Sequence, residues 1–286
     1  MRKRYLPHIC VLSAGCLWGV IGLFTRNLMA LGLSPRSVVG VRNLGGMLLL
    51  GLVLACTDRA VFRVRLRHLP CFFGTGVVSV LFFTLCSFTC QQMCSLAVSA
   101  ILMYTAPAFV VALSALLFKD RLTGRKLAAL GVAFLGCTFA SGVWSGRLAA
   151  SALGVALGVA SGFFYGLYSI FGRYALAHYS PMTVTFYTFV FAGAGGLLVW
   201  RPSELAVLTA PMGPWLALGL VVVSTVLPYL LYTRGLSGMD SGSASILASV
   251  EPVVAALTGV AAFGEPLGPA VLLGLGCILL SVYLLR

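Results

Sequence analysis

Apolar runs of about twenty residues, broken by brief clusters of charge, Gly and Pro, account for nearly all of this chain. The pattern divides into ten such runs, at 6–25, 35–56, 69–91, 95–118, 124–144, 150–172, 181–200, 213–233, 241–263 and 267–285. A helix rises about 1.5 Å per residue, so each run is long enough to cross a hydrocarbon core of roughly 30 Å. The connections are too short to fold as a soluble domain. The pattern therefore predicts an all-α polytopic membrane protein with ten transmembrane helices. The closest turns fall at 91–95 and 264–266.

Composition and charge agree with that reading. The 286 residues are 60% hydrophobic and 9% charged, against roughly a quarter charged in a soluble domain. Mean hydropathy is +1.05. Basic residues outnumber acidic ones, 19 to 6. With the N-terminus in the cytoplasm, fourteen Lys and Arg fall inside and four (Arg26, Arg36, Arg147 and Arg201) outside, with Arg42 inside the second run. That positive-inside bias predicts a cell-membrane protein with both termini cytoplasmic, and it accounts for the net charge of +13 without a nucleic-acid partner. The opening "MRKRYLPHICVLSAGCLWGVIGLF" resembles a signal peptide, but Ser13 is a poor fit to a lipoprotein cleavage box and no polar segment follows. It reads as an uncleaved first span. The nine cysteines lie in apolar runs without CxxC pairs, as small buried hydrophobes would.

The chain also contains a weak copy of itself. "LWGVIGLFTRNLMALGLSP", ending at Pro35, is matched by "FYGLYSIFGRYALAHYSP", ending at Pro181. Trp18-Gly19 aligns with Tyr165-Gly166, and Arg26 with Arg173. Farther along, Ile101, Leu102, Pro107, Phe118, Asp120, Leu122, Leu127, Leu130 and Gly131 recur at a constant offset of 145. Chance likeness between apolar helices preserves Leu and Ala, not a proline and an acid thirteen residues apart. Five spans per copy is an odd number, so the second copy enters the membrane from the opposite side. The expectation is a 5+5 inverted-topology repeat, residues 1–144 and 150–286, with a substrate site near the midplane, as in secondary transporters.

The small residue before Trp18-Gly19, "MYTAPAFVVALSALLFKDRLTGRKLAALG" and "SVEPVVAALTGVAAFGEPLG" together resemble the drug/metabolite transporter superfamily, and more narrowly its EamA-type ten-helix members. The resemblance covers nearly the whole chain. It implies a transporter of small metabolites, amino acids or drugs, often outward. It also implies a recurrent arginine in the second helix, here Arg42, and an "EP" in the ninth, here Glu251-Pro252. The first copy has Ala106 where the second has Glu251.

Glu251 lies about ten residues into the ninth run, near the bilayer midplane. An ionised carboxylate there costs on the order of 3 kcal/mol, so it must face water, pair with a cation or hold a proton. It can hold an amine or exchange protons, or it can bond a neighbouring helix and fix packing. Pro252 releases the Ala248 carbonyl, Pro107 that of Met103 and Pro228 that of Ser224, which marks three kinks or gating points. Arg42 can bind a substrate carboxylate, pair with Glu251, or snorkel to the interface. Trp18, Tyr104, Tyr165, Tyr168, Tyr187, Tyr229 and Tyr232 sit at comparable depth and are candidates to line a chamber, with ordinary helix packing as the alternative for each. Gln91 and Gln92 end the third run and can cap an outer vestibule, with a plain turn as the alternative. Cys86, Cys90 and Cys94 share a helical face, read as packing rather than a metal site. Gly154, Gly158, Gly162 and Gly166 form a ladder for close helix contact.

His8, His68 and His178 lie near span ends and the membrane depth holds no carboxylate pair, which disfavours an intramembrane enzyme. No P-loop supports an ATP-driven pump. The reading that follows is a secondary transporter, an exporter using alternating access, with protons as the candidate coupling ion and an amino acid or related zwitterion as cargo. It requires no cofactor and no metal. Its partners are the small-molecule substrate and the lipid bilayer, and a monomer would suffice. A non-transporting sensor or assembly subunit, and transport of cationic drugs, amines, nucleosides or sugars, stay open as alternatives.

Overall fold

The computed structural model describes residues 2–94, 96–140, 151–198, 202–264 and 268–285. Arg147, Arg201, Glu265 and Arg286, and the ends of several expected runs, lie outside the described residues. Among the described residues ten helical runs follow in order. They are α1 (Arg2–Gly19 continued by Ile21–Ala30), α2 (Pro35–Thr57), α3 (Leu66–Met93), α4 (Leu96–Met103 and Ala106–Phe118), α5 (Gly124–Ala140), α6 (Ala152–Leu176), α7 (Pro181–Gly196), α8 (Gly213–Leu236), α9 (Ser241–Ala248 and Glu251–Phe263) and α10 (Pro269–Leu284). Among the described residues seven of them, α1 to α4, α6, α8 and α9, are long and apolar enough to cross a membrane, and the described parts of α5, α7 and α10 are shorter. The protein is thus an all-helical, multi-pass membrane protein.

Local chemistry sets the boundaries. Ser34 and Ser180 are N-caps whose hydroxyls accept from the Ser37 and Thr183 amides, each followed by a proline in the first helical turn. Asp240 caps α9 by accepting from the Ser243 amide. Lys119 closes α4 at φ 58° and Gly264 closes α9 at φ 65°, both in the left-handed conformation that ends helices.

Two spans expected to be continuous are broken instead. The hydrogen-bond ladder of α4 lapses at Tyr104–Thr105 and that of α9 at Ser249–Val250, each two or three residues before Pro107 or Pro252. Proline offers no amide and crowds the carbonyl four residues back, so the helix stops and restarts. At Pro228 the ladder widens instead, into a π-helical stretch over Val222–Val226. A second π stretch, Gly74–Leu81 in α3, has no proline to announce it.

Small residues bring the helices together. The α6 glycines lie against α4: a Cβ on Gly162 would meet the Leu102 and Met103 carbonyls at 2.8 and 3.0 Å, and one on Gly166 the Ala106 carbonyl at 3.2 Å. On α1, a Cβ at Gly15 would meet the Ala248 carbonyl at 2.9 Å, and one at Gly19 the Glu251 carbonyl at 2.7 Å. Helices α5 and α10 cross at Gly136 and Gly274, each abutting the other's carbonyl. Lipid gives no hydrophobic drive for helix association, so such close backbone approach carries much of the packing. The largest buried cluster runs through α1, α2, α7, α8 and α9 and includes Trp18, Leu50, Phe189, Tyr229 and Leu247.

Gly274→Val should lower the thermal unfolding midpoint of the detergent-purified protein, by about 1–3 kcal/mol of overpacking. Its added carbons would strike Gly136 O and Ala140. Gly276→Val, with nothing within 4 Å, should leave the midpoint unchanged. Equal midpoints for the two variants would contradict the α5–α10 crossing.

Candidate functional site

A cavity of about 300 Å³ opens at the end of the bundle that carries the α1–α2 turn. Met29, Pro35 and the exposed Gln91 stand at its mouth, and Trp18, Arg42, Tyr165, Tyr229 and Glu251 at its depth. The breaks explain part of this. Glu251 is the first residue of the second half of α9, so its side chain leaves the helix where the ladder restarts. Its backbone is held by Gly19 of α1, and its carboxylate lies beside the Tyr165 hydroxyl and within electrostatic reach of Arg42. Among the described residues Arg42 and Glu251 make no direct ion pair, although both face the same space.

Arg42 is positioned by aromatic chemistry. Its Nη2 donates to the Tyr229 hydroxyl at 3.2 Å, and its Cζ lies 5.6 Å from the Tyr229 ring centroid. Its Nε is buried with no protein acceptor. A half-buried, partly unanswered guanidinium is an anion site waiting for an oxygen. The wall formed by α3 adds Phe83, Thr84, Ser87, Phe88 and Gln91, and Gln91 donates to the Ser87 hydroxyl at 3.3 Å. Apart from Gln91, the sequence reading missed this wall. Thr84, Ser87 and Gln91 stand at helical spacing on one face of α3, and that polar stripe was the available signal.

Of the seven candidate aromatics, the structure brings Trp18, Tyr165 and Tyr229 to the cavity. Tyr168 and Tyr232 lie beneath it as a packed floor. Trp18 meets Tyr229 and Tyr232 at centroid distances of 5.3 and 5.4 Å, and Tyr168 meets Tyr229 edge-on at 5.1 Å. Their hydroxyls are committed, Tyr168 to Thr233 and Tyr232 to Ser169, each at 2.7 Å. The gap they leave is about 20 Å³. Tyr104 packs instead on the α5 side with Cys137 and Val250. Tyr187 corrects the expectation of common depth: it stacks on Phe72, and its hydroxyl donates to the Phe62 carbonyl at 3.0 Å, beyond the end of α2. Pro107 and Pro252 sit at the helix breaks and Pro228 just after a π stretch; none of the three lines the cavity. Cys90 and Cys94 are buried against Gly158 and Gly154, and Cys86 is half-buried.

The opposite end is closed by charge. Arg173 of α6 grips Asp120 after α4 with both guanidinium nitrogens, at 2.5 and 3.0 Å, while stacking 4.2 Å from the Phe118 ring centroid. Lys126 of α5 reaches the Asp240 N-cap of α9 at 2.6 Å. A third cluster joins the α2–α3 and α6–α7 connections: the Tyr179 hydroxyl accepts from the Arg65 amide at 2.9 Å and meets His68 Nδ1 at 2.8 Å, with the His68 and His178 rings 4.4 Å apart. Burial alone would raise the Asp240 carboxyl, but bonds from Lys126 and from the Ser243 amide and hydroxyl carry it below its ordinary value.

Among known proteins, the model of the EamA-like transporter family matches the chain twice, over residues 6–142 and 152–286. An uncharacterized transporter of Archaeoglobus fulgidus is 31% identical over 281 residues, covering 98% of this chain and 95% of its own length. The threonine/homoserine exporter RhtA of Escherichia coli is 32% identical over 134 residues, 44% of this chain and 42% of that one. A solved crystal structure superposes with a TM-score of 0.82 at 16% identity, covering 98% of this chain and 96% of that one, which is a likeness of fold. The chain belongs to the EamA-like transporter family.

Because the Asp240 carboxyl is depressed in the folded protein, the stability it contributes is present above its unfolded value, about 3.9, and is lost as pH falls through the folded one. Asp240→Asn keeps a helix cap but leaves Lys126, whose side chain is 9% exposed, without its counter-charge. The variant should be less stable at neutral pH by about 1–3 kcal/mol. In pH-series thermal melts, the gap should narrow only in strong acid. A gap that stays as wide in strong acid as at neutral pH would refute the pair's contribution.

Proposed function

We propose that this member of the EamA-like transporter family is a secondary transporter that moves a small zwitterion, an amino acid or close relative, by alternating access between two five-helix halves. The observation that carries the reading is the pairing of Arg42 and Glu251 in one cavity without direct contact between them. A solute with a carboxylate and an ammonium group answers both. The carboxylate would take the free Arg42 donors, and the ammonium would sit against Glu251 and the faces of Trp18 and Tyr165. A purely cationic drug would leave the arginine opposed, and a neutral sugar would leave both charges unanswered. The volume suits a small solute, at the lower edge of ordinary ligand pockets. The partial likeness to a threonine/homoserine exporter supports the same cargo class and an outward direction.

The inverted repeat supplies the means of exchange. Support comes from contacts that recur near the repeat offset: Gly15 on Ala248 O and Gly162 on Met103 O; Gly19 on Glu251 O and Gly166 on Ala106 O; Arg26 over Phe263 and Arg173 over Phe118. The broken helices α4 and α9, the π stretches of α3 and α8 and the left-handed ends at Lys119 and Gly264 follow the same offset, and the family model matches each half. Halves built alike can trade arrangements at the two ends at little net cost. With the termini cytoplasmic, as the distribution of basic residues favours, the cavity opens outward and the ion pairs close the inner end. Glu251 would take a proton from outside once cargo has left, and the inward return would release it.

In proteoliposomes, an imposed pH gradient should drive flux of labelled threonine or a similar amino acid. Glu251→Gln should reduce the gradient-driven part to the level of empty vesicles. Arg42→Gln should raise the half-saturating concentration about tenfold or more, since a hydrogen bond to a charged group contributes about 1.5–3 kcal/mol. Unchanged pH dependence in the Glu251 variant would sink the coupling role. Flux of amines that is indifferent to Arg42, with none of amino acids, would sink the zwitterion.

A further inference from the structure

A second cavity, also of about 300 Å³, lies at the ion-paired end, between the α4–α5 turn, the start of α9 and the tail of α10. It is remote from Arg42 and Glu251 and does not rest on the transport reading. Its walls hold Arg121, Arg125 and Lys126 with Asp120 and Asp240, the Thr123 and Ser243 side chains, and Leu284 and Leu285.

The charges do not cancel. Asp240 is answered by Lys126, and Asp120 by Arg173. That leaves Arg121 and Arg125, both exposed, neither with an ion pair or side-chain hydrogen bond among the described residues. Two cations, concave walls and the Thr123 hydroxyl, which accepts from the Lys126 amide and keeps its own proton to donate, suit a tetrahedral oxyanion. The first turn of α5 points the same way: the Lys126 amide is capped by the Thr123 hydroxyl, and the Gly124 and Arg125 amides begin the helix there. The remaining wall is aliphatic, formed by the last residues of an apolar helix. A ligand that fits all of it carries a phosphate and, next to it, hydrocarbon.

We propose that this cavity binds the phosphate group of an anionic lipid headgroup, with Arg121 and Arg125 as its ligands and Leu284 and Leu285 against the start of the acyl chain. A headgroup held there bridges α5, α9 and α10 across the Lys126–Asp240 pair. It would tie those helices in their present arrangement. A free phosphate shares the headgroup chemistry but gains nothing from the two leucines.

The test uses the full-length protein purified in detergent. Native mass spectrometry should show phosphatidylglycerol retained in preference to phosphatidylcholine, and the same lipid should raise the thermal midpoint while inorganic phosphate does so weakly or not at all. The Arg121→Ser/Arg125→Ser double variant should lose about tenfold or more of that retention. Arg63→Ser/Arg234→Ser removes as much charge from exposed arginines at the same end and should retain lipid as the parent does. Restoring the charges with lysine, in Arg121→Lys/Arg125→Lys, should recover most of the binding. Stabilisation by inorganic phosphate equal to that by the lipid would overturn the lipid in favour of a soluble anion. Equal retention of both lipids, or equal loss in the two serine variants, would overturn the site.

Discussion

A backbone carbonyl stripped of its helical donor has no water to turn to inside a bilayer, and this constraint shapes the centre of the molecule. Pro107 and Pro252 create two such carbonyls, on Met103 and Ala248, at the breaks in α4 and α9. Irregular backbone at that depth is tolerated only where protein buries it or a wet cavity reaches it. Here the burial comes from glycines: Gly162 of α6 lies on the Met103 carbonyl and Gly15 of α1 on that of Ala248. A Cβ at either position would stand within about 3 Å of oxygen, so the glycines are required by space rather than by flexibility. The approach also permits Cα–H···O contacts, weak singly but the best partner on offer. Once the break is held, Glu251 begins a new helix with its side chain in the chamber, instead of projecting from a continuous helix into lipid.

The two ends of the molecule are closed by different chemistry. Beneath the chamber the floor is aromatic and nearly dry, with Trp18, Tyr168, Tyr229 and Tyr232 each no more than 6% exposed. Every floor hydroxyl has a partner: Tyr168 and Tyr232 bond across to α8 or α6, and Tyr229 accepts from Arg42. Below it lie salt bridges that join α6 to the end of α4 and α5 to the start of α9. These are half-wet pairs, in which Coulomb attraction and desolvation nearly offset each other. Such contacts can hold one arrangement and still release it, as the proposed alternating access would require. At the mouth, Glu204 from the α7–α8 connection accepts from the Ser34 amide, fixing the rim where α2 begins.

Much of this was legible in the sequence because membrane depth imposes strong rules on composition. Spans, breaks and the one deep carboxylate leave marks in runs of apolar residues, in prolines and in the rarity of acids. The aromatics were legible as a group but not one by one. Tyr165 and Tyr168 are neighbours on the same helix, yet one faces the chamber and the other the floor, because a three-residue step turns the side chain enough to meet different partners. Tyr187 was misplaced because depth counted from a span's end ignores how far the α2–α3 connection reaches up to meet it. The ion pairs span 53 and 114 residues of chain, a separation at which one sequence carries no pairing signal. The π stretch of α3 was equally silent, lacking the proline that marks its counterpart in α8.

Under the proposed repeat, the scaffold is symmetric and the chemistry is not. The helix breaks, glycine contacts and stacked arginines come in matched pairs, while the two charges of the chamber do not: Glu251 corresponds to Ala106, and Arg42, at the offset that relates Pro35 to Pro181, to Thr188. Thr188 spends its hydroxyl on Thr75 and on the Val184 carbonyl, as an ordinary buried threonine does. Two copies of each charge would place two carboxylates and two guanidiniums in one small chamber, and the desolvation of four ions exceeds what a single small solute can answer. One of each is the least charge that can orient a zwitterion. In the proposed cycle, a symmetric frame would let the chamber face either side of the membrane, and an asymmetric pair of charges would make it hold one cargo, in one orientation, whichever side it faces.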